Sequence, residues 1–162
     1  MTDASEFGRD LRDALGQFAT GVTIVTAVGP NGEPAGITVN SFTSLSLDPP
    51  LVLWNLSRHS ANWEAFQQAE HFAINVLSAG QEAMAMEFAR PGGDPFAGLT
   101  TETGNGGVPL LKGVLAQFEC RLADRHDGGD HVTLVGEVLR YREYGGEPLL
   151  FYRGRFGRFT AT

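Results

Sequence analysis

The apolar positions of this chain change period several times. Phe7, Leu11, Leu15 and Phe18 recur at helical spacing and predict an amphipathic N-terminal helix that Gly21 can end. From Val22 to Val28 the chain turns to β-branched residues and reads as a strand. Pro30-Asn31-Gly32 is a turn signal, so Val22–Val28 and Ala35–Leu45 are expected to form a hairpin. Asp48-Pro49-Pro50 then breaks the path, because Pro50 pushes Pro49 toward extended geometry and bars a helix. Leu51–Leu56 follows as a buried strand.

Ser60 stands at an N-cap position for a short helix with Trp63 and Phe66 inward. Phe72, Ile74 and Val76 alternate as a further strand. Ser78-Ala79-Gly80-Gln81 has capping-box spacing and opens a helix running to about Arg90, where Pro91 ends it. Gly92 to Gly107 is a glycine-rich loop without a period, of a length that marks functional or mobile segments. Leu115–Arg125 and His131–Tyr141 alternate as strands around Asp127-Gly128-Gly129-Asp130, and Gly145-Gly146 turns the chain into Leu149–Phe159. Many short strands with interspersed helices predict a mainly β fold, a closed or nearly closed antiparallel barrel with flanking helices.

The length of 162 residues predicts a single domain, residues 1–162. Apolar content of 42% and charged content of 19% fit an ordinary globular chain rather than a disordered one. A net charge of −7 argues against nucleic-acid partners, which need concentrated positive charge. Of the 12 basic residues only Lys112 is lysine, a bias toward planar contacts with phosphate or carboxylate. The lone Cys120 lies in the alternating run Ala116, Phe118, Cys120, Leu122 and reads as a buried structural thiol. No signal peptide, lipidation motif or long apolar span is evident, so no membrane association and a cytoplasmic location are expected.

The densest polar signal is Gly36 to Pro50, where Thr38, Asn40, Ser41, Thr43, Ser44 and Ser46 interrupt a β-rich run. Buried hydroxyl and amide groups need partners, which a planar hydrogen-bonding ligand along the strand would supply; an exposed Ser/Thr-rich edge is the alternative. Ser57-Arg58-His59-Ser60 combines hydroxyls, a guanidinium and free backbone N–H groups, either a phosphate site or a simple capped loop. His126, Asp127, Asp130 and His131 flank a glycine turn that separates the two imidazoles, so no metal site is expected. Gly104-Asn105-Gly106-Gly107 leads to Val108-Pro109 rather than a helix, so dinucleotide binding through a Rossmann fingerprint is excluded. Gly-x-Ser-x-Gly is also absent.

Taken in order, Phe7-Gly8-Arg9-Asp10 with Leu11 to Thr26, the run from Gly36 to Trp63, EFAR at Glu87 to Arg90, GDHVTLVGEV at Gly129 to Val138 and PLLFYRGRFGRF near the end resemble the short-chain flavin reductase family. These are reductase components of two-component flavin-dependent monooxygenases. The resemblance covers nearly the whole chain. It implies the FMN-binding split β-barrel, a Greek-key antiparallel barrel, as a homodimer. It implies FMN or FAD reduced by NADH or NADPH, with NADH favoured, and reduced flavin passed to a partner monooxygenase.

By the same resemblance, Asn40 and Ser41 lie against the isoalloxazine edge with Thr38, Val39 and Ser44 beside them, and Asn55 reaches in from the next strand. Ser57, Arg58 and Ser60 hold the flavin phosphate with Arg90, which Phe88 accompanies in EFAR. His131 positions the nicotinamide, and Tyr152, Arg153 and Phe156 border both rings, across a dimer interface or within the chain. Pro95 stands where similar chains often carry Lys, which removes one cation from that loop. Two other readings remain at this point: a split-barrel oxidoreductase with tightly bound FMN and its own substrate, or a non-enzymatic flavin- or haem-binding module.

Overall fold

Helical spacing at the N-terminus is realised as α1 (Ala4–Leu15), the first element of a computed structural model that describes residues 4–162. The helix stops at Leu15, ahead of Gly21, which belongs instead to the two-residue strand β1 (Thr20–Gly21). Nothing on α1 is buried: Phe7 is 63% exposed and Phe18, just beyond the helix, 80%. Its apolar stripe therefore faces away from the core.

The predicted first hairpin forms between β2 (Thr23–Val28) and β3 (Pro34–Val39). Ala35–Leu45 is not one strand, however. The chain leaves the sheet at Asn40 and re-enters as β4 (Thr43–Leu47), hairpinned to β5 (Pro50–Ser57). Ser41 makes the break: its Oγ accepts the Asn55 N–H at 2.9 Å and donates to Asn55 O at 3.3 Å, fixing the crossing segment against β5. Next come α2 (Trp63–Gln68), β6 (His71–Val76) and α3 (Glu82–Ala89). Asn62, not Ser60, is the N-cap residue of α2; the Ser60 hydroxyl instead accepts the Asn62 N–H. The expected capping-box contact precedes α3, with Gln81 Oε1 accepting the Ser78 N–H at 3.0 Å.

The glycine-rich loop contains the short strand β7 (Glu102–Thr103), which pairs with β8 (Pro109–Leu110). The long hairpin β9 (Ala116–Gly128) and β10 (His131–Glu143) follows. Leu149–Phe159 is two strands, β11 (Leu149–Tyr152) and β12 (Arg155–Arg158), because Arg153 and Gly154 both take positive φ and turn the chain back.

Seven strands make one antiparallel sheet in the order β3-β2-β6-β9-β10-β5-β4. Trp54, Phe66, Phe72, Ile74, Cys120 and Leu134 share a single interior, so the sheet curls around it as a barrel. The barrel is split where its two edges, β3 and β4, fail to pair, which agrees with the split-barrel expectation. A second core, including Ile24, Leu77, Phe88 and Leu149, lies between the barrel, α3 and the small β1-β11-β12 sheet.

Between barrel and loop lies a buried polar network. Asn75 donates to Ile24 O and Thr26 Oγ1, and its Oδ1 accepts from Leu111 N and Gln117 Nε2. Glu119 accepts both the backbone N–H and the side-chain amide of Asn105. These partners satisfy groups that would otherwise be costly to bury, and they pin the loop to β6 and β9. Among the described residues no helix is long and apolar enough to cross a membrane.

Candidate active site

The break after Val39 opens a cleft beside the β3 edge, made of two cavities that share Ile37 and Ser57. The first, about 520 Å³, lies between the start of β3, the β5–α2 loop and the end of α3 with Pro91 to Phe96. Gly36 sets its wall: a Cβ there would come within 2.6 Å of the Phe88 ring. Phe88 can press on β3 only because residue 36 is glycine, and Phe96 packs edge-to-face on Phe88 at 4.9 Å. Ser57, His59, Ser60, Asn62 and Arg90 supply polar groups to this cavity, and Asp94 adds a carboxylate. Arg90 is an exposed guanidinium whose side chain pairs, among the described residues, with Glu87 at 3.4 Å.

The second cavity, about 630 Å³, is lined by Ile37 to Ser41 of one edge and by Asn55, Ser57, Gly128, His131 and Thr133 of the other. Being an edge strand, β3 leaves alternate backbone N–H and C=O groups unpaired toward this side. The Thr38 hydroxyl donates to Ala85 O at 2.6 Å, so its contribution here is backbone. Thr133 donates to Asn55 Oδ1 at 2.6 Å, leaving the Asn55 amide nitrogen unpartnered among the described residues. Asn40, exposed at the rim, makes no side-chain hydrogen bond among them either. The lining of the cleft thus combines the half-buried Ile37 and Val39, which also pack against the barrel core, with amides whose nitrogens have no partner among the described residues.

His131 opens β10, paired with Ser57 on β5 and Gly128 on β9. Its Nδ1 lies 2.7 Å from Asp130 Oδ1, a contact that holds the Asp130 carboxyl below the usual range. His126 contacts Asp124 instead, at 3.2 Å, so the two imidazoles serve separate carboxylates. Among the described residues no group of three or more His, Cys, Asp or Glu is placed to hold a metal ion.

The cleft therefore gathers Thr38, Val39, Asn40, Ser41, Asn55, Ser57, Ser60, Phe88, Arg90 and His131. Other expected residues lie elsewhere. Ser44 is exposed on β4, opposite Val52. Arg58 turns to the β9–β10 turn, bonding Asp127 at 2.6 Å, and lines neither cavity. Tyr152, Arg153 and Phe156 belong to the small sheet, where Tyr152 donates to Gln17 and the Arg153 N–H to Gly16 O. Sequence reasoning missed Gly36, Ile37, Phe96, Gly128 and Thr133. Thr133 was within reach of it, since residues 131 and 133 point to the same face of a strand.

The sequence profile described as "Flavin reductase like domain" matches residues 15–160. The chain belongs to that family. It is 54% identical over 155 residues to the FMN reductase (NADH) SmoA of Agrobacterium fabrum, covering 96% of this chain and 88% of that protein. It is 44% identical to the reductase component of the flavin-dependent trigonelline monooxygenase of Acinetobacter baylyi, covering 95% of this chain but 50% of that one. Among solved structures it resembles the NADH:FAD oxidoreductase of Streptomyces globisporus in complex with NAD and FAD fragments. That match has a TM-score of 0.89 and 40% identity, covering 99% of this chain and 96% of the other. This flavin reductase-like chain thus spans most of the FMN reductase and of the NADH:FAD oxidoreductase, but about half the length of the trigonelline monooxygenase reductase component.

Proposed function

We propose that this protein is an NADH-dependent flavin reductase that reduces FMN or FAD and releases it to a separate flavin-dependent monooxygenase. The observation that carries the reading is the continuous cleft: a phosphate-suited cavity with Arg90 and two serines opens, through Ile37 and Ser57, into a cavity rimmed by unpartnered amides. An elongated ligand with an anionic tail and a planar, hydrogen-bonding head fits both halves at once. Related proteins named as NADH-linked FMN and FAD reductases support it.

When both are bound, the nicotinamide supplies a hydride that the flavin accepts, and no protein acid or base is required for that transfer. The chain's contribution is alignment and retention. Asn40, Ser41, Asn55 and the free β3 backbone groups orient the ring, while Ile37 and Val39 give it an apolar face. Ser57, Ser60 and Arg90 hold the anionic tail. His131, kept in place by Asp130, would position the nicotinamide in the cleft.

The Asn40 and Asn55 amides, whose nitrogens have no partner among the described residues, and the exposed Arg90 make a modest grip, which suits a flavin that leaves after reduction. A homodimer is part of this reading. Phe7, Leu11 and Leu15 on α1, Phe18 just beyond it and the nearby Tyr152 form an exposed surface that a second copy would cover. Steady-state NADH oxidation with no flavin, FMN, FAD and riboflavin in turn tests the proposal. Stimulation by added flavin is expected; equal rates in all four would defeat it.

A further inference from the structure

We infer that Arg58 is a positioning residue for His131, acting through the Asp127–Asp130 turn, and not a ligand of the flavin phosphate. Three hydrogen bonds run from this one residue to that one turn. Its backbone N–H donates to Asp130 O at 2.9 Å, its Nε to Gly129 O at 3.0 Å and its Nη2 to Asp127 Oδ1 at 2.6 Å. The guanidinium also lies over the Trp63 ring, 5.6 Å from its centroid, which fixes the plane of the fork. With Nε and Nη2 spent in this way and the side chain outside both cavities, the geometry points the charge away from the cleft.

The turn needs such a tether. Asp124 to Asp130 is exposed apart from the half-buried Arg125, and the turn runs through Gly129 at positive φ. Its two ends, Gly128 and His131, both line the second cavity. Asp130 in turn holds the His131 ring through Nδ1. Arg58 thus grips the two carbonyls that flank the Asp130 Cα, through its backbone N–H and its Nε, and loss of the side chain releases the Gly129 and Asp127 contacts of the segment that aims the imidazole. Ser57, next to Arg58, pairs with His131 across the sheet, which places the tether beside the residue it steadies.

This inference rests on the nicotinamide role proposed for His131. The test compares the parent with Arg58→Ala, Arg58→Lys, Asp127→Ala and the double variant Arg58→Ala/Asp127→Ala. Five quantities are measured: amide hydrogen exchange across residues 128–131, Kd for FMN, Kd for riboflavin, and KM and kcat for NADH. Faster exchange in the turn is expected for Arg58→Ala, with kcat/KM for NADH lowered roughly three- to tenfold, chiefly through KM. The ratio of FMN to riboflavin affinity should stay unchanged. Asp127→Ala should fall in the same direction, and the double variant should be no worse than Arg58→Ala. Arg58→Lys, which keeps the charge without the fork, should lie between.

A selective loss of FMN over riboflavin in Arg58→Ala would overturn the assignment, as would tighter FMN binding in Asp127→Ala, because either marks Arg58 as a phosphate ligand. Unchanged exchange at residues 128–131 would show that no tether exists. A parent that oxidises no NADH with any flavin would refute the reductase reading itself, and with it the role given to Arg58, whatever the exchange shows.

Discussion

Thr133 and Asn55 face each other across the β10–β5 pair, and the Thr133 hydroxyl donates to Asn55 Oδ1 at 2.6 Å. That bond, together with the Ser41 contacts to the Asn55 backbone, fixes an amide that lines the cleft and whose nitrogen has no partner among the described residues. The donor is aimed before any ligand arrives, and preorganisation of this kind lowers the ordering cost of binding.

Asn55→Ala should therefore weaken flavin binding by about 0.5–1.5 kcal/mol, roughly two- to tenfold, the range for one neutral hydrogen bond. Thr133→Val, which only frees the amide to rotate, should have a smaller effect in the same direction. Fluorescence quenching of FMN on titration measures both. Equal affinity in parent and Asn55→Ala would remove this residue from the ring site.

Arg90 gives a sharper discrimination. Its guanidinium is exposed and loosely paired with Glu87, so a phosphate contact there is worth the lower end of the charge-assisted range, about 1.5 kcal/mol or roughly tenfold. Arg90→Ala should raise Kd for FMN by that factor, most clearly at low salt, and leave riboflavin unaffected. Parallel losses for both flavins would contradict the role.

Gly36 is needed for space. Its Cβ equivalent would sit 2.6 Å from Phe88, whose ring is also fixed by Phe96. Gly36→Ala should destabilise the fold by about 1–3 kcal/mol, as overpacking does, and reduce flavin affinity by displacing the cavity wall. A lowered Tm with weaker FMN binding is the expected pair of results.

Burial pushes the Cys120 thiol up to about 12, with the neighbouring Glu119 adding to the shift. A raised folded value means a contribution to stability that is complete below the ordinary thiol value of 9.0 and is lost as pH rises toward 12. The native protein should resist thiol reagents at mildly alkaline pH and react once unfolded. Cys120→Ala should show a shallower fall in Tm over that alkaline window than the parent.

How much of this was legible in the sequence depended on the kind of signal. Period and turn chemistry gave the β2–β3 hairpin, β5, β6, the Ser78–Gln81 cap and the β9–β10 pair, because each rests on neighbours along the chain. The break at Asn40 to Phe42 was not legible, since it depends on Ser41 meeting Asn55, a contact made only in three dimensions. The contacts of Arg58 were hidden for a similar reason. Its position beside Ser57 and Ser60 suggests a phosphate loop, but the side chain's direction is decided by Asp127, which is distant in sequence. The buried network around Asn75, Gln117 and Glu119 left no trace in the period, because polar residues on an alternating strand read as its exposed face.

On the proposed function, this chain aligns a nicotinamide and a flavin in one cleft. The most direct measurement mixes flavin-stripped protein, FMN and NADH in a stopped-flow instrument without oxygen. Bleaching of the flavin should accelerate in proportion to protein concentration, with one flavin reduced per NADH oxidised, and His131→Ala should lower kcat/KM for NADH about tenfold, equivalent to roughly 1.4 kcal/mol, while FMN affinity stays within a few-fold of the parent. Bleaching that ignores protein concentration would contradict the account.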